Sequence, residues 1–232
     1  MKTHVLAIGF SLAAGAVSAQ GFQGADVGMD LTRNTGDFTQ GHYHGSATYG
    51  ITPALITQVD LGYTDYYGVS FGGSRNVGAH LGYQLSPTAA IGGFWGFEDW
   101  PQGNYQAYGI EAKTNAGAIA GNPLTLEGYL VNYSQNGGNY SFTGGGIDAG
   151  LQVSPASTVN LGLFSGGGDL DNDRVSIGVN YAVGNGLNVG LEAGHVFQPG
   201  SDENTLGLNL SYQLGNGSKF KERTFSSFLP GL

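Results

Sequence analysis

The sequence predicts an all-β protein: a transmembrane antiparallel β-barrel of about twelve strands, the pattern being compatible with ten to fourteen. Three observations predict it. Apolar and polar residues alternate with a period of two, short turns alternate with longer polar connections, and aromatic residues keep fixed offsets from the short turns.

Composition narrows the field first. The 232 residues include 43 Gly, 7 Pro and no Cys, with 40% hydrophobic, 12% aromatic and 11% charged residues. Ordinary soluble domains carry about 25% charged residues and about 7% Gly. Collagen is excluded, because the glycines show no three-residue period. Disorder is disfavoured by the supply of aromatic and branched apolar residues. A disulfide scaffold or a Cys-ligated metal is impossible. The net charge of −9 disfavours a nucleic-acid partner.

Residues 1–19 form the first segment. Lys2 and His4 give a polar start, Val5–Val17 an apolar stretch, and Val17-Ser18-Ala19 a small-residue cleavage site. This is the pattern of a cleaved secretory signal peptide. The stretch is broken by Gly9, Ser11 and Gly15 and falls short of the roughly 20 apolar residues of a membrane anchor. Residues 20–214 are then the barrel, and 215–232 a C-terminal tail.

Within the barrel, Val27, Met29 and Leu31 alternate with Asp26, Gly28 and Asp30. Val59, Leu61 and Tyr63 alternate with Asp60, Gly62 and Thr64, and Leu206, Leu208, Leu210 and Tyr212 close the series. Such stretches read as strands with one apolar and one polar face. Twelve are expected: 25–33, 42–51, 55–66, 75–85, 89–97, 105–120, 124–133, 140–153, 158–165, 173–183, 187–197 and 204–214. Short turns are expected at Thr52-Pro53, Ser86-Pro87, Asn122-Pro123, Ser154-Pro155 and Gly184-Asn185-Gly186. The prolines lie 34, 36 and 32 residues apart, a period that could also suggest a helical solenoid. Glycine content and the two-residue alternation argue against one. Longer polar segments such as Asn34–Gln40, Glu98–Asn104 and Gly166–Asn172 fall between the turns. An even strand count puts both ends of the barrel on the short-turn side, the layout of short periplasmic turns and longer outer loops.

Tyr49, Tyr83 and Tyr181 stand four residues before Pro53, Pro87 and Asn185, and Tyr63, Phe97 and Tyr133 ten residues after Pro53, Pro87 and Pro123. These offsets place rings near both edges of an apolar band about 25 Å tall, where their apolar bodies and polar tips are matched.

The chain resembles Gram-negative outer-membrane β-barrel proteins of the porin-like kind. Tyr49-Gly50-Ile51-Thr52-Pro53-Ala54-Leu55 is similar to their periplasmic hairpins. The last strand, with Thr205, Gly207, Leu210 and Tyr212, is similar to the family's assembly signal. The resemblance implies location in the cell outer membrane, contact with membrane lipid and lipopolysaccharide, and insertion by the barrel-assembly machinery. Family members usually end on the aromatic of the last strand, whereas this chain continues through Phe220, Phe225 and Phe228. Its tail lies in the periplasm or enters the barrel and narrows it. Lys219, Lys221 and Arg223 are expected to face periplasmic solvent or anionic head groups.

If the apolar face meets lipid, the other face lines a lumen carrying Asp26, Asp30, His42, His44, Asp60, His80, Asp148 and Glu192. Glu111 and Lys113 join them on a long strand whose parity slips between Ile110 and Ile119, so a bulge is expected there. Glu127 fits either face. The many small lumen residues favour free space over a filled barrel, although Gly also serves curvature. The acidic lumen implies a pore for passive diffusion of small hydrophilic solutes with a weak preference for cations. The alternative is a non-conducting barrel with a structural, adhesin or receptor role carried by its outer loops. The pattern fixes no oligomeric state.

No enzymatic role is expected, and no cofactor. His42 and His44 share a strand face, but no third metal ligand is fixed, and there is no GxSxG nucleophile motif. Asp169, Asp171 and Asp173 match positions 1, 3 and 5 of a calcium loop, yet Arg174 replaces its Gly and Asn180 its bidentate Glu. An acidic outer loop is the favoured reading of that segment.

Overall fold

A computed structural model describes residues 21–36, 39–67, 72–200 and 202–228. The signal-peptide segment 1–19 lies outside the described residues. Twelve strands succeed one another: β1 (Gly21–Asn34), β2 (Thr39–Gly50), β3 (Leu55–Tyr67), β4 (Ser74–Ser86), β5 (Ala89–Trp100), β6 (Gly103–Ile119), β7 (Asn122–Gln135), β8 (Ser141–Ser154), β9 (Ser157–Gly168), β10 (Asp173–Gly184), β11 (Leu187–Phe197) and β12 (Glu203–Gly215). Each pairs antiparallel with its sequence neighbours, and β1 pairs with β12 to close the barrel, Asp26 opposite Gln213 and Leu31 opposite Leu208. Closure leaves no sheet edge, so the ladder satisfies the backbone without water.

The period of two sorts the side chains. Leu161 pairs with Ile177, and Leu31, Leu208, Leu191 and Val179 form a row across four strands on the outer face. These residues stay open to the surroundings, Leu191 at 60%. Exposing such side chains to water forfeits about 1.5–3 kcal/mol each, so this belt is matched to lipid. Tyr49, Tyr83 and Tyr181 point outward near the short turns, and Tyr63 points outward toward the other end.

Tyr133 departs from that expectation, being buried in the interior. The reason lies in the turn between β6 and β7. The ladder shifts register between Asn115 and Ala118, the bulge expected from the parity slip, and the turn falls at Ala120-Gly121, both with positive φ. Pro123 is therefore a strand residue paired with Ala118, where the missing N–H is tolerated near the strand start. An offset of ten from it lands on the inner face. The same parity turns Glu127 inward.

The short-turn end is tight, with two residues linking β4–β5, β6–β7, β8–β9 and β10–β11. Connections at the opposite end are longer, with one exception. Trp100 pairs with Gly103, which leaves only Pro101 and Gln102 between β5 and β6.

After β12 the chain turns back into the barrel. Gly215 and Gly217 take φ of 61° and 70°, which L side chains rarely adopt. The tail then climbs the lumen from the short-turn end. Its described part includes one helical turn, α1 (Phe225–Phe228), capped by reciprocal Thr224–Ser227 bonds: the Ser227 amide donates to Thr224 Oγ1 (3.2 Å) and the Thr224 amide to Ser227 Oγ (2.8 Å).

Ile177 lies mid-strand on the outer face and Asn180 faces the lumen. Ile177→Lys should cost about 2–4 kcal/mol of folding stability in lipid vesicles, read by guanidinium titration. Asn180→Lys should cost far less, and equal losses would contradict the assignment of faces.

Candidate functional site

The tail's seat is built from the short-turn end upward. The Ser218 amide donates to Asp26 Oδ2 (2.5 Å), and the amides of Lys219 and Phe220 donate to Gln58 Oε1 (2.9 and 3.0 Å). Gln58 Nε2 donates back to the Phe220 carbonyl (2.8 Å) and to Asp60 Oδ1 (2.8 Å). Phe220 is buried against Ile56 and Ala90 and stacks on His80 at 5.9 Å. Glycine makes this possible, since a Cβ at Gly82 would lie 2.8 Å from the Phe220 ring and one at Gly92 3.3 Å from it. Beneath Phe220, His80 bridges two carboxylates, Nε2 to Asp60 Oδ2 (2.6 Å) and Nδ1 to Glu111 Oε1 (2.5 Å).

Midway up, Glu222 accepts from His42 Nε2 (2.7 Å) and from Asn76 Nδ2. Arg223 is the best-matched group of the tail. Its Nε donates to Glu111 Oε2 (3.1 Å), its Nη2 to Glu127 Oε1 (2.5 Å), and its guanidinium lies 4.0 Å from the centre of the Tyr129 ring. All three charged side chains are nearly inaccessible. A buried guanidinium is tolerated only with such partners, because desolvating an unpaired charge costs several kcal/mol. Lys113 Nζ sits 3.4 Å from Glu127 and donates to the Lys219 carbonyl (3.0 Å).

At the upper end an aromatic pocket receives the last turn. Phe228 stacks on Phe164 (5.9 Å) and Tyr129 (5.5 Å), and Phe225 meets Trp100 (5.9 Å) and Phe142 (6.4 Å) edge-on. Buried Glu98 has three donors: Trp100 Nε1 (2.9 Å), Tyr133 Oη (2.9 Å) and the Phe225 amide (2.5 Å). Ser226 Oγ is 2.9 Å from Thr64 Oγ1.

These contacts run along β1–β9 and leave the rest of the lumen free. Between the tail and β8–β12, β1 and β2 lies a cavity of about 500 Å³ lined by Asp30, His44, Asn160, Asn180, Glu192 and Asn209. It extends from Gln213 near the short turns to Gln40 near the other end, and Gly162, Gly178, Gly190 and Gly207 form much of its wall. Asp30 accepts from Asn209 Nδ2 (2.6 Å) and lies 3.2 Å from His44 Nε2. Arg174 pairs with Glu192, and Lys221, carried by the tail, reaches Asp148 (2.9 Å). The carboxylates Asp26, Asp30, Asp148, Glu192 and Glu222 border this space against the cations Arg174, Lys221 and Arg223.

The ten residues expected to line a pore thus divide into two groups. Asp26, Asp30, His42, His44, Asp148 and Glu192 border the cavity, Asp26, His42 and Asp148 also meeting the tail, whereas Asp60, His80, Glu111 and Lys113 lie beneath it. The expectation for Lys219, Lys221 and Arg223 is corrected: all three lie in the lumen, Lys219 held by its backbone, Lys221 and Arg223 by wall carboxylates. His42 and His44 stack at 5.4 Å. Among the described residues no group of three His, Asp or Glu side chains is placed to hold a metal ion. Asp169 accepts the Ser141 amide (2.7 Å), a loop-tying bond, and the calcium-loop pattern of Asp169, Asp171 and Asp173 has no counterpart in the geometry. In β12, Thr205 faces inward, while Leu210 and Tyr212 face outward.

The sequence does not single out Glu98, Arg174, Glu222 or Tyr129. A tail alternating Lys219, Lys221, Arg223 with Phe220 and Phe225 beside an acidic lumen is the one signal that points to them.

No protein-family model matches the chain, and no curated protein sequence matches it. Solved structures show its class, the closed barrel found among outer-membrane proteins. The NanC porin is similar with a TM-score of 0.60 at 8% identity, over 80% of this chain and 98% of that one. The KdgM porin in complex with disordered oligogalacturonate gives 0.58 at 10% identity, over 81% and 98%. Omp33 of Acinetobacter baumannii gives 0.55 at 14% identity, over 84% and 99%.

Removing Arg223 leaves buried Glu111 with His80 and buried Glu127 with Lys113, each short of the guanidinium it shares. Arg223→Ala should weaken the tail's seat by about 3–5 kcal/mol. Limited trypsin digestion read by mass spectrometry checks this: cleavage after Lys219 and Lys221 should accelerate on the order of a hundredfold while the barrel stays intact. An unchanged rate would mean that Arg223 does not hold the tail.

Proposed function

We propose that this chain is an outer-membrane channel of a Gram-negative cell, exported by a cleaved signal peptide and inserted by the barrel-assembly machinery. It passes small hydrophilic solutes by diffusion along the passage that the tail leaves beside β8–β12, with a weak preference for cations. The observation that carries this reading is the polar cavity of about 500 Å³ running beside the tail. A lumen built only to be filled would close that side with larger side chains, as narrow barrels do. Here Gly162, Gly178, Gly190 and Gly207 hold the wall back. The surplus of carboxylates over cations in a low-dielectric passage concentrates cations and repels anions. The porin fold of NanC and KdgM supports the same reading. Contact with lipid and lipopolysaccharide is proposed for the outer belt.

The alternative, a non-conducting barrel, draws support from the tail itself, which fills the lumen along β3–β7. An adhesin or receptor built on outer loops draws little, since those connections span only two to six residues.

The test is planar-bilayer current under a potassium chloride gradient. The channel should give small stepwise ohmic conductance with a cation-favouring reversal potential, and Asp30→Asn with Glu192→Gln should move that potential toward zero. Folded protein without current would favour the closed barrel. An anion-favouring potential would overturn the selectivity.

A further inference from the structure

The tail is held as a ligand is held. It adds no strand to the sheet; past the Asn216 amide, which donates to the Gln23 carbonyl, its main-chain bonds to the wall go to side chains, those of Asp26, Thr48, Gln58, Glu98, Lys113 and Glu127. Its side chains fill three features of the wall in turn. Phe220 occupies a recess cleared by Gly82 and Gly92, Arg223 the fork between Glu111 and Glu127, and Phe225 and Phe228 the aromatic pocket above.

The wall without the tail is unbalanced. Glu98, Glu111 and Glu127 are buried carboxylates, and Lys113 and His80 are the wall cations in contact with any of them. Buried charge without partners is costly, so this surface requires a cation from elsewhere. Tyr129 adds a face on which a guanidinium rests. The link to the barrel is a positive-φ hinge, Gly215 and Gly217, and an unfilled cavity adjoins the seat along its length. Those are the conditions for one such segment to leave and another to enter.

We infer that the inner wall of β3–β9 is a binding site for peptide segments that carry an arginine followed by phenylalanines two and five residues on, and that the chain's own tail is its resident, exchangeable occupant. The partner class is a cationic, phenylalanine-bearing segment reaching the lumen from the short-turn end. The inference depends on the tail's seat and not on conduction, so the test reads binding.

The absence of cysteine permits a clean lock. Thr64 and Ser226 touch through their hydroxyls at 2.9 Å, and the full-length pair Thr64→Cys with Ser226→Cys would tie the tail in place when oxidised. The probe is a dye-labelled peptide of residues 218–232, followed by fluorescence anisotropy with the detergent-folded protein. The reduced pair and the wild type should bind it, and the oxidised pair should not. A peptide with Arg223→Ala should bind about a hundredfold more weakly, as loss of a buried ion pair implies. A second full-length variant, Phe225→Ser with Phe228→Ser, loosens the resident tail and should bind the peptide more tightly than the wild type does. Equal binding by oxidised and reduced protein, indifference to the arginine, or no binding to any reduced form would each overturn the inference. Conductance of the wild type, measured separately, bears on the channel reading alone.

Discussion

The interior of this barrel depends on one arrangement: a guanidinium from the end of the chain held between two carboxylates of the wall. Glu111 and Glu127 sit on adjacent strands, β6 and β7, facing inward where water is scarce. Neither would be stable there as an uncompensated charge. His80 and Lys113 meet one carboxylate each, Arg223 joins both, and the rest of the tail is set by its placement. Phe220 must then lie over His80, Glu222 must reach His42, and the last turn must fall among Tyr129, Phe142 and Phe164.

Glycine is used in two ways on the inner face. On β3–β5, Gly62, Gly82, Gly92 and Gly96 make room for the tail; a Cβ at Gly62 would lie 2.8 Å from Glu222 Oε1, and one at Gly96 3.3 Å from the Arg223 carbonyl. On β9–β12, Gly162, Gly178, Gly190 and Gly207 line the cavity, where a Cβ would press on neighbouring strands, at Gly162 on Ser176 Oγ at 2.6 Å. One compositional feature thus produces a filled half and an open half. The charges divide similarly: those under the tail are locked in buried pairs, whereas Asp30, Asp148 and Glu192 keep partial access beside the cavity.

The wall is legible in the sequence, whereas the interior contacts are not. Strand positions can be read because each strand carries its own alternation; β11 over 187–197 coincides with its expected bounds. Outward-facing rings such as Tyr83 are legible for the same local reason. Tyr133 is not, because the Asn115–Ala118 bulge moves the turn and reverses the parity of β7. The seat of Arg223 is out of reach, since its partners lie 112 and 96 residues away and no local period links them. The sequence does carry the complementarity of an acidic lumen and a basic, aromatic tail; its geometry emerges only with closure of the barrel.

Hydrogen exchange of the tail amides in the folded, membrane-embedded protein tests the central claim most directly. Phe220, Lys221 and Phe225 donate to Gln58, Glu127 and Glu98 inside the lumen, so their amides should exchange slowly, as strand amides do. Exchange as fast as in an unstructured peptide, with the strands still protected, would place the tail outside the barrel and contradict the account.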